Sequence, residues 1–147
     1  MRWQDSADAV LTRRLSLASD FSEVTRLNDW LDEAFVEAGV APGAAEDLKL
    51  CLNEAVANTM LYAFSDEADP QIEVEIRLDA TSASAVLTDN GIAFDPLVLP
   101  EREKPTDLES AKIGGFGVQL IRQTASSVDY QRVDGQNRLH IVCGTPS

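Results

Sequence analysis

The segment Ile72-Glu-Val-Glu-Ile-Arg-Leu-Asp79 alternates apolar and charged residues without a break. Successive side chains of a strand point to opposite faces, so Ile72, Val74, Ile76 and Leu78 share one face while Glu73, Glu75, Arg77 and Asp79 share the other. Such a chain must build a sheet with one face in the core and one in water. Ser84 to Thr88 pairs with this strand across the turn from Asp79 to Ser82. Two helical patterns upstream supply the cover. In the first, Phe21, Val24, Leu27, Leu31, Ala34, Phe35 and Ala38 recur at helical spacing behind Asp20-Phe-Ser-Glu23, which has the acceptor-then-acid spacing of an N-cap, and Gly39 supplies a stop. The second opens at Pro42-Gly43, is apolar on most sides and runs to about Phe64. Val10 to Ala18 reads as a first strand and Gly117 to Ser126 as a third helix. Asp134-Gly135 turns a final hairpin from Val128–Gln131 to Leu139–Val142. Residues 95–113 carry Pro96, Pro100 and Pro105 and form a long loop, a feature that compact domains usually keep for function or leave disordered. The order β α α β β, loop, α β β predicts an α/β (α+β) two-layer sandwich. Its sheet is mixed but mostly antiparallel, helices cover one face, and residues 1–147 make one domain.

With 25 acidic against 12 basic residues the formal net charge is -13, which opposes attraction to a phosphate backbone. Direct nucleic-acid binding is disfavoured, whereas a basic protein partner and plain solvation both suit the surface. Cys51 and Cys143 sit in apolar patterns and read as two buried thiols rather than a disulfide, which implies a reducing compartment. Met1-Arg-Trp-Gln-Asp5 has no apolar signal core and no run approaches the ~18 apolar residues of a membrane span. The expectation is a cytoplasmic protein without membrane contact. His140 alternates with Leu139 and Ile141 and reads as an exposed sheet residue, Trp3 as a tail residue and Trp30 as a packing residue of the first helix. No Cys/His cluster has zinc-ligand spacing.

Three motifs carry chemistry. Glu54 and Asn58 are four residues apart on the second helix, so their side chains converge on one space. A carboxylate there can accept a hydroxyl proton and an amide oxygen can ligate magnesium beside phosphate oxygens, or the pair can simply meet solvent at a helix edge. Asp89-Asn90-Gly91 ends an apolar strand. Turn chemistry alone explains it, and so does a carboxylate that accepts a hydrogen bond from the exocyclic amine of adenine while Gly91 lets the ring approach the backbone. Gly114-Gly115-Phe116-Gly117 precedes Val118-Gln-Leu-Ile-Arg-Gln, so free N–H groups at a helix start suit phosphate; a flexible hinge is the other reading. The Gly-Lys-Ser/Thr of a P-loop is missing, and the glycines do not follow a first strand as a dinucleotide fingerprint should.

Taken together, L-N-E-A-V-A-N (52–58), T-D-N-G-I-A-F-D-P (88–96), I-G-G-F-G-V-Q-L-I-R-Q-T-A-S-S-V-D-Y (113–130) and D-G-Q-N-R-L-H-I-V (134–142) resemble the GHKL, or Bergerat-fold, ATP-binding superfamily. Within it the chain is most similar to the anti-sigma-factor serine/threonine kinases, from about residue 10 to the C-terminus. The resemblance implies transfer of the γ-phosphoryl of Mg-ATP to a serine or threonine of a small STAS-domain anti-sigma antagonist, with a sigma factor as competing partner and a homodimer as the working form. By position, Glu54 would be the general base and Asn58 the Mg2+ ligand. Asp89 would read adenine with Gly91 against the ring, and Gly115 and Gly117 would hold the phosphates of ATP or ADP. Phe94, Gly114, Phe116 and Val118 complete the implied nucleotide site. Residues 97–113 would form a lid, in which Arg102, Lys104 or Lys112 could reach the γ-phosphate. One departure stands out: Tyr62, in Tyr62-Ala63-Phe64, replaces a histidine common in the family, and a tyrosine supplies no cation near neutral pH. The alternative function is an ATP-responsive module that sequesters a sigma factor or STAS partner without turnover.

Overall fold

The computed structural model describes residues 11–64, 69–93, 95, 97 and 117–145. Eight elements follow one another along them: β1 (Leu11–Leu17), α1 (Glu23–Ala38), α2 (Pro42–Tyr62), β2 (Ile72–Leu78), β3 (Ser82–Asp89), α3 (Gly117–Thr124), β4 (Ser127–Val133) and β5 (Gln136–Gly144). The five strands form one sheet in the order β1-β2-β3-β5-β4. Every described pairing is antiparallel, so the mixed component expected from the sequence is not found among them.

The alternation in β2 does what its period demands. Ile72, Val74, Ile76 and Leu78 are buried against the helices, joined by Ala83, Ala85 and Leu87 of β3 and by Leu139, Ile141 and Cys143 of β5. On the other side Leu27, Leu31 and Ala34 of α1 and Leu48, Leu52, Ala55 and Val56 of α2 close the core. Because α2 lies against β3, β5, α1 and α3, it is buried around most of its circumference. That central position puts one turn of α2 directly over the end of β3. The hairpin between β4 and β5 is a two-residue turn in which both central residues take positive φ, Asp134 at 52° and Gly135 at 79°, the backbone that an Asp-Gly hairpin needs to match strand twist.

Several boundaries shift. Val10 lies outside the described residues, β1 stops before Ala18, β3 begins two residues earlier than expected, and α2 and α3 end two residues sooner. The start of α1 is wired differently from the expected cap. The Asp20 carboxylate accepts from the N–H of Ser22 at 2.9 Å, and Glu23 reaches back to the N–H of Ala18 at 2.9 Å. Phe21, counted with the core face, precedes the helix and is 49% exposed. His140 is half-buried rather than exposed, because β5 is an interior strand and the ring sits in the cross-strand row with Val86 and Asp129. Burial pushes its pKa down, with Arg138 acting the same way and Asp129 opposing. Trp30 packs partly buried against the core, while Trp3 lies outside the described residues. Cys51 and Cys143 are both buried free thiols. They are close enough to perturb each other, the contact lowering Cys51 and, with burial, raising Cys143. Among the described residues no helix is long and apolar enough to cross a membrane.

Candidate functional site

Helix α2 carries the first two residues singled out by the sequence. Asn58 is only 1% exposed, and among the described residues neither Oδ1 nor Nδ2 has a hydrogen-bond partner. Buried amides are nearly always satisfied, since an unpaired one costs about 1–3 kcal/mol of desolvation, so an amide with both ends open points to a ligand. One turn earlier, Glu54 is half-buried, and among the described residues it makes no hydrogen bond or ion pair. Burial alone pushes its carboxyl above the usual range, the direction that turns a carboxylate into a better proton acceptor. The orientation of α2 is set partly by Asn53, a residue the sequence reading passed over. Its amide and that of Asn28 on α1 exchange reciprocal hydrogen bonds of 3.1 and 2.7 Å. Lys49 adds an ion pair to Asp32 of α1 at 3.0 Å.

Asp89 is the last residue of β3 and is buried on the helix side of the sheet. Its Oδ1 accepts from the N–H of Gly91 at 2.9 Å and from Nδ2 of Asn137 at 2.9 Å. Both bonds fall on one oxygen, which among the described residues leaves Oδ2 as the open acceptor. Burial pushes the carboxyl upward, opposed first by the Asn137 bond, then by the Gly91 bond and by the charge of Arg132. Asn90 anchors the turn by accepting from the N–H of Gln71 at 2.8 Å and donating to the carbonyl of Asp69 at 3.0 Å.

Gly91 has a nearer reason for lacking a side chain than ring approach. A Cβ there would lie 2.7 Å from the Ala63 Cβ and 2.9 Å from Asp89 Oδ1, and would also press on the Ala63 carbonyl that accepts from Ile92. Replacing Gly91 with Ala should therefore cost about 1–3 kcal/mol, as overpacking of a fixed contact does, and lower the urea midpoint accordingly. A midpoint equal to that of the parent protein would show that the turn and the end of α2 are not held this tightly.

Ala55 and Thr59 of α2, the residues next after Glu54 and Asn58, line one crevice with Leu87, Asp89, Tyr130, Asn137 and Leu139, so this part of α2 and the end of β3 open on the same space, with Glu54 and Asn58 themselves outside its lining. The crevice is narrow, with about 10 Å³ of room, on the order of one water. Larger hollows of about 510 and 490 Å³ lie at the β1 to β2 edge by Gln71 and Thr88 and between β1 and α1 by Trp30. Neither is lined by Asp89 or by any other residue assigned a chemical role above, so the narrow crevice, which holds Asp89, is the candidate site. Tyr130 and Asn137 line it from the final hairpin, with Arg132 bonded to Asn137; Tyr130 and Asn137 fall in segments that carry the resemblance but were given no role there, because their roles come from cross-strand pairing.

Gly117 and Val118 open α3, which packs on α2 and buries Ile121. Phe94, Gly114, Gly115 and Phe116 lie outside the described residues, as do Arg102, Lys104 and Lys112. Of the expected lid, Leu97 is described. It packs against the core, its N–H donates to Asp95 Oδ1 at 2.8 Å, and its carbonyl accepts from Arg122 of α3 at 2.6 Å. That residue is an anchor tied to α3 and not loose loop.

A two-layer sandwich with an acceptor at the end of an inner strand and an open amide on the helix above it defines a class of nucleotide-binding domain. The family model described as histidine kinase-like ATPase domain matches residues 17–143. The serine/threonine-protein kinase BtrW of Bordetella bronchiseptica is 29% identical over 128 residues, covering 87% of this chain and 90% of its own. The serine-protein kinase RsbW of Listeria innocua is 30% identical over 122 residues, covering 80% of this chain and 76% of its own. The crystal structure of the RsbU and RsbW domains of Rv1364c from Mycobacterium tuberculosis superposes with a TM-score of 0.63 at 13% identity. It covers 92% of this chain, which in turn spans 32% of that longer one, and the likeness speaks for the fold. The chain belongs to the histidine kinase-like ATPase domain family of the GHKL superfamily, in the branch of the anti-sigma-factor serine/threonine kinases. As a member it is an ATP-binding enzyme of the protein serine/threonine kinase class.

Proposed function

We propose that this chain transfers the γ-phosphoryl of Mg-ATP to a serine or threonine of a small STAS-domain anti-sigma antagonist, and that a sigma factor competes for the kinase. In this reading residues 1–147 act as one domain, in the cytoplasm, as a homodimer. The observation that supports it most is the pairing of a buried Asn58 amide without partners and a desolvated Glu54 carboxylate one turn away.

Each residue has a defined task. Asp89 presents Oδ2 to the exocyclic amine of adenine while Asn137 and the Gly91 N–H hold Oδ1. The crevice is narrow, so a purine entering it displaces wall side chains. The reading assigns the phosphates to the N-terminal end of α3 at Gly117, together with Gly115, which the resemblance adds and which lies outside the described residues. Glu54 takes the proton of the acceptor hydroxyl as its oxygen bonds to the γ-phosphorus and the bond to the ADP oxygen breaks. Among the described residues no group of three or more His, Cys, Asp or Glu side chains could cage a metal ion. The Asn58 Oδ1 is instead the protein ligand that fits magnesium, which prefers one or two protein oxygens plus phosphate oxygens and, when bound, neutralises charge developing on the transferred group.

Asn58→Ala tests the metal assignment. An asparagine kept for structure would be hydrogen-bonded, and its loss would destabilise the fold; an asparagine with both amide atoms open should be replaceable without a drop in melting temperature. The expected result is unchanged or raised stability together with loss of the magnesium-dependent part of ATP affinity, read by calorimetry with and without the ion. A lowered melting temperature with the magnesium effect intact would remove Asn58 from the site. For the reaction itself, mass spectrometry of a STAS-domain partner incubated with Mg-ATP should show one added phosphate on Ser or Thr. A partner that binds in an ATP-dependent way and stays unmodified would replace the kinase reading with the sequestering module.

A further inference from the structure

Ile72, Asp89, Asn137 and Arg132 form one cross-strand row over β2, β3, β5 and β4, so the last three side chains project to the same face and touch in sequence. Asn137 is the hinge of that row. Its Nδ2 donates to Asp89 Oδ1 at 2.9 Å and to the Ile92 carbonyl at 2.7 Å. Its Oδ1 accepts from Arg132 Nη1 at 3.1 Å and from the Tyr130 hydroxyl. Arg132 Nη1 also donates to the Gly91 carbonyl at 2.8 Å, pinning the turn that follows Asp89.

An amide has two ends of nearly equal shape, and only its neighbours decide which faces which way. Tyr130 cannot decide, since a hydroxyl turns to donate or to accept. The Asp89 carboxylate and the Ile92 carbonyl, which only accept, hold Nδ2 on their side, and the Arg132 guanidinium, which only donates, holds Oδ1 on the other. With Arg132 in place, Oδ1 of Asn137 must face β4, Nδ2 must face Asp89, and the carboxylate is held with one oxygen occupied and the other open. Without it, the Gly91 carbonyl and Asn137 Oδ1 each lose a charged donor, so the turn after Asp89 and the amide that holds one oxygen of the carboxylate are both less firmly fixed.

We propose that Arg132 is a positioning residue for base selection: acting through Asn137 and the Gly91 carbonyl, it orients Asp89 so that the site prefers a purine bearing a 6-amino group. The inference rests on the adenine-reading role proposed for Asp89.

The test compares ATP with purine riboside triphosphate, which is the same nucleotide without the 6-amino group, by calorimetry on the full chain. The parent protein should prefer ATP by about 10-fold or more, the size of one hydrogen bond to a charged group. Arg132→Gln should lose most of that preference by weakening ATP while leaving the 6-unsubstituted analogue nearly unchanged. Arg132→Lys, still a donor-only cation, should restore it, and Tyr130→Phe should keep it. Equal weakening of both nucleotides by Arg132→Gln would mean a merely structural role and overturn the inference. Should the Gln variant fold poorly, Asn137→Asp gives a second arm: it still accepts from Arg132 and Tyr130 but cannot donate to Asp89, so a preference that survives it also overturns the inference. A parent protein that binds both nucleotides equally, with Asp89→Asn changing neither, removes the adenine reading itself and the inference with it.

Discussion

A Glu54→Gln variant should bind nucleotide and partner as the parent does while losing about 10²–10⁴-fold of its phosphorylation rate, the usual contribution of general-base assistance. Glutamine keeps the shape and can still hydrogen bond to the acceptor hydroxyl, but it cannot take the proton. The same substitution carries a second expectation that a positioning role would not predict. Burial raises the Glu54 pKa in the folded protein, so the folded state disfavours the ionised form. As pH rises through the ordinary glutamate value of about 4.3 the unfolded chain ionises first, and stability is lost until the folded-state value is passed. Above that window the parent protein carries the full penalty and the glutamine variant none. Melting temperature, measured without magnesium or nucleotide, should therefore be higher in Glu54→Gln near neutral pH, with the gap closing as pH falls below the glutamate range. A slow variant that is also less stable at neutral pH would assign Glu54 to the fold, and full activity in the variant would remove it as the base.

Asp89→Asn should weaken ATP and ADP by roughly 10- to 150-fold, equivalent to the ~1.5–3 kcal/mol of a hydrogen bond to a charged group. Asparagine is the cleaner choice because its Oδ1 can go on accepting from the Gly91 N–H and from Asn137. It puts an amide donor where Oδ2 stood, opposite the donor of the adenine amine. Asp89→Ala would lose the same nucleotide affinity but would also strand two donors, at about 1–3 kcal/mol of fold stability for each that stays buried and unpaired. Calorimetry with ADP and a parallel melting curve separate the two effects. Parent binding no tighter than that of the asparagine variant would end the assignment of this crevice to the base.

Much of this was legible in the chain. Period-two alternation placed Ile72, Val74, Ile76 and Leu78 on the buried face of β2, and helical spacing placed Leu27, Leu31 and Ala34 in the core, because burial on one face leaves a repeating trace in the residues themselves. The four-residue spacing of Glu54 and Asn58 guaranteed a shared side of α2 wherever that helix went. What spacing could not say is that the Asn58 amide would be buried with nothing to bond, a property of the sheet and helices around it. Phe21 shows the opposite failure: it kept the helical period but fell just ahead of α1, where the period no longer holds.

The sequence alone determined the order of elements, the faces they bury, the Asp-Gly hairpin and the position of an acid at the end of an apolar strand, since each follows from rules acting over a few neighbouring residues. Only the tertiary structure decided which side chains meet that acid. Asn137 reaches Asp89 because β5 inserts between β3 and β4 in one particular register, and Arg132 joins them because the hairpin carries it into the same row. A one-residue slip of β5 would turn Asn137 to the open face. That register is set by the burial of Leu139, Ile141 and Cys143 against α2, a choice made by the whole core and written in no local stretch of the chain.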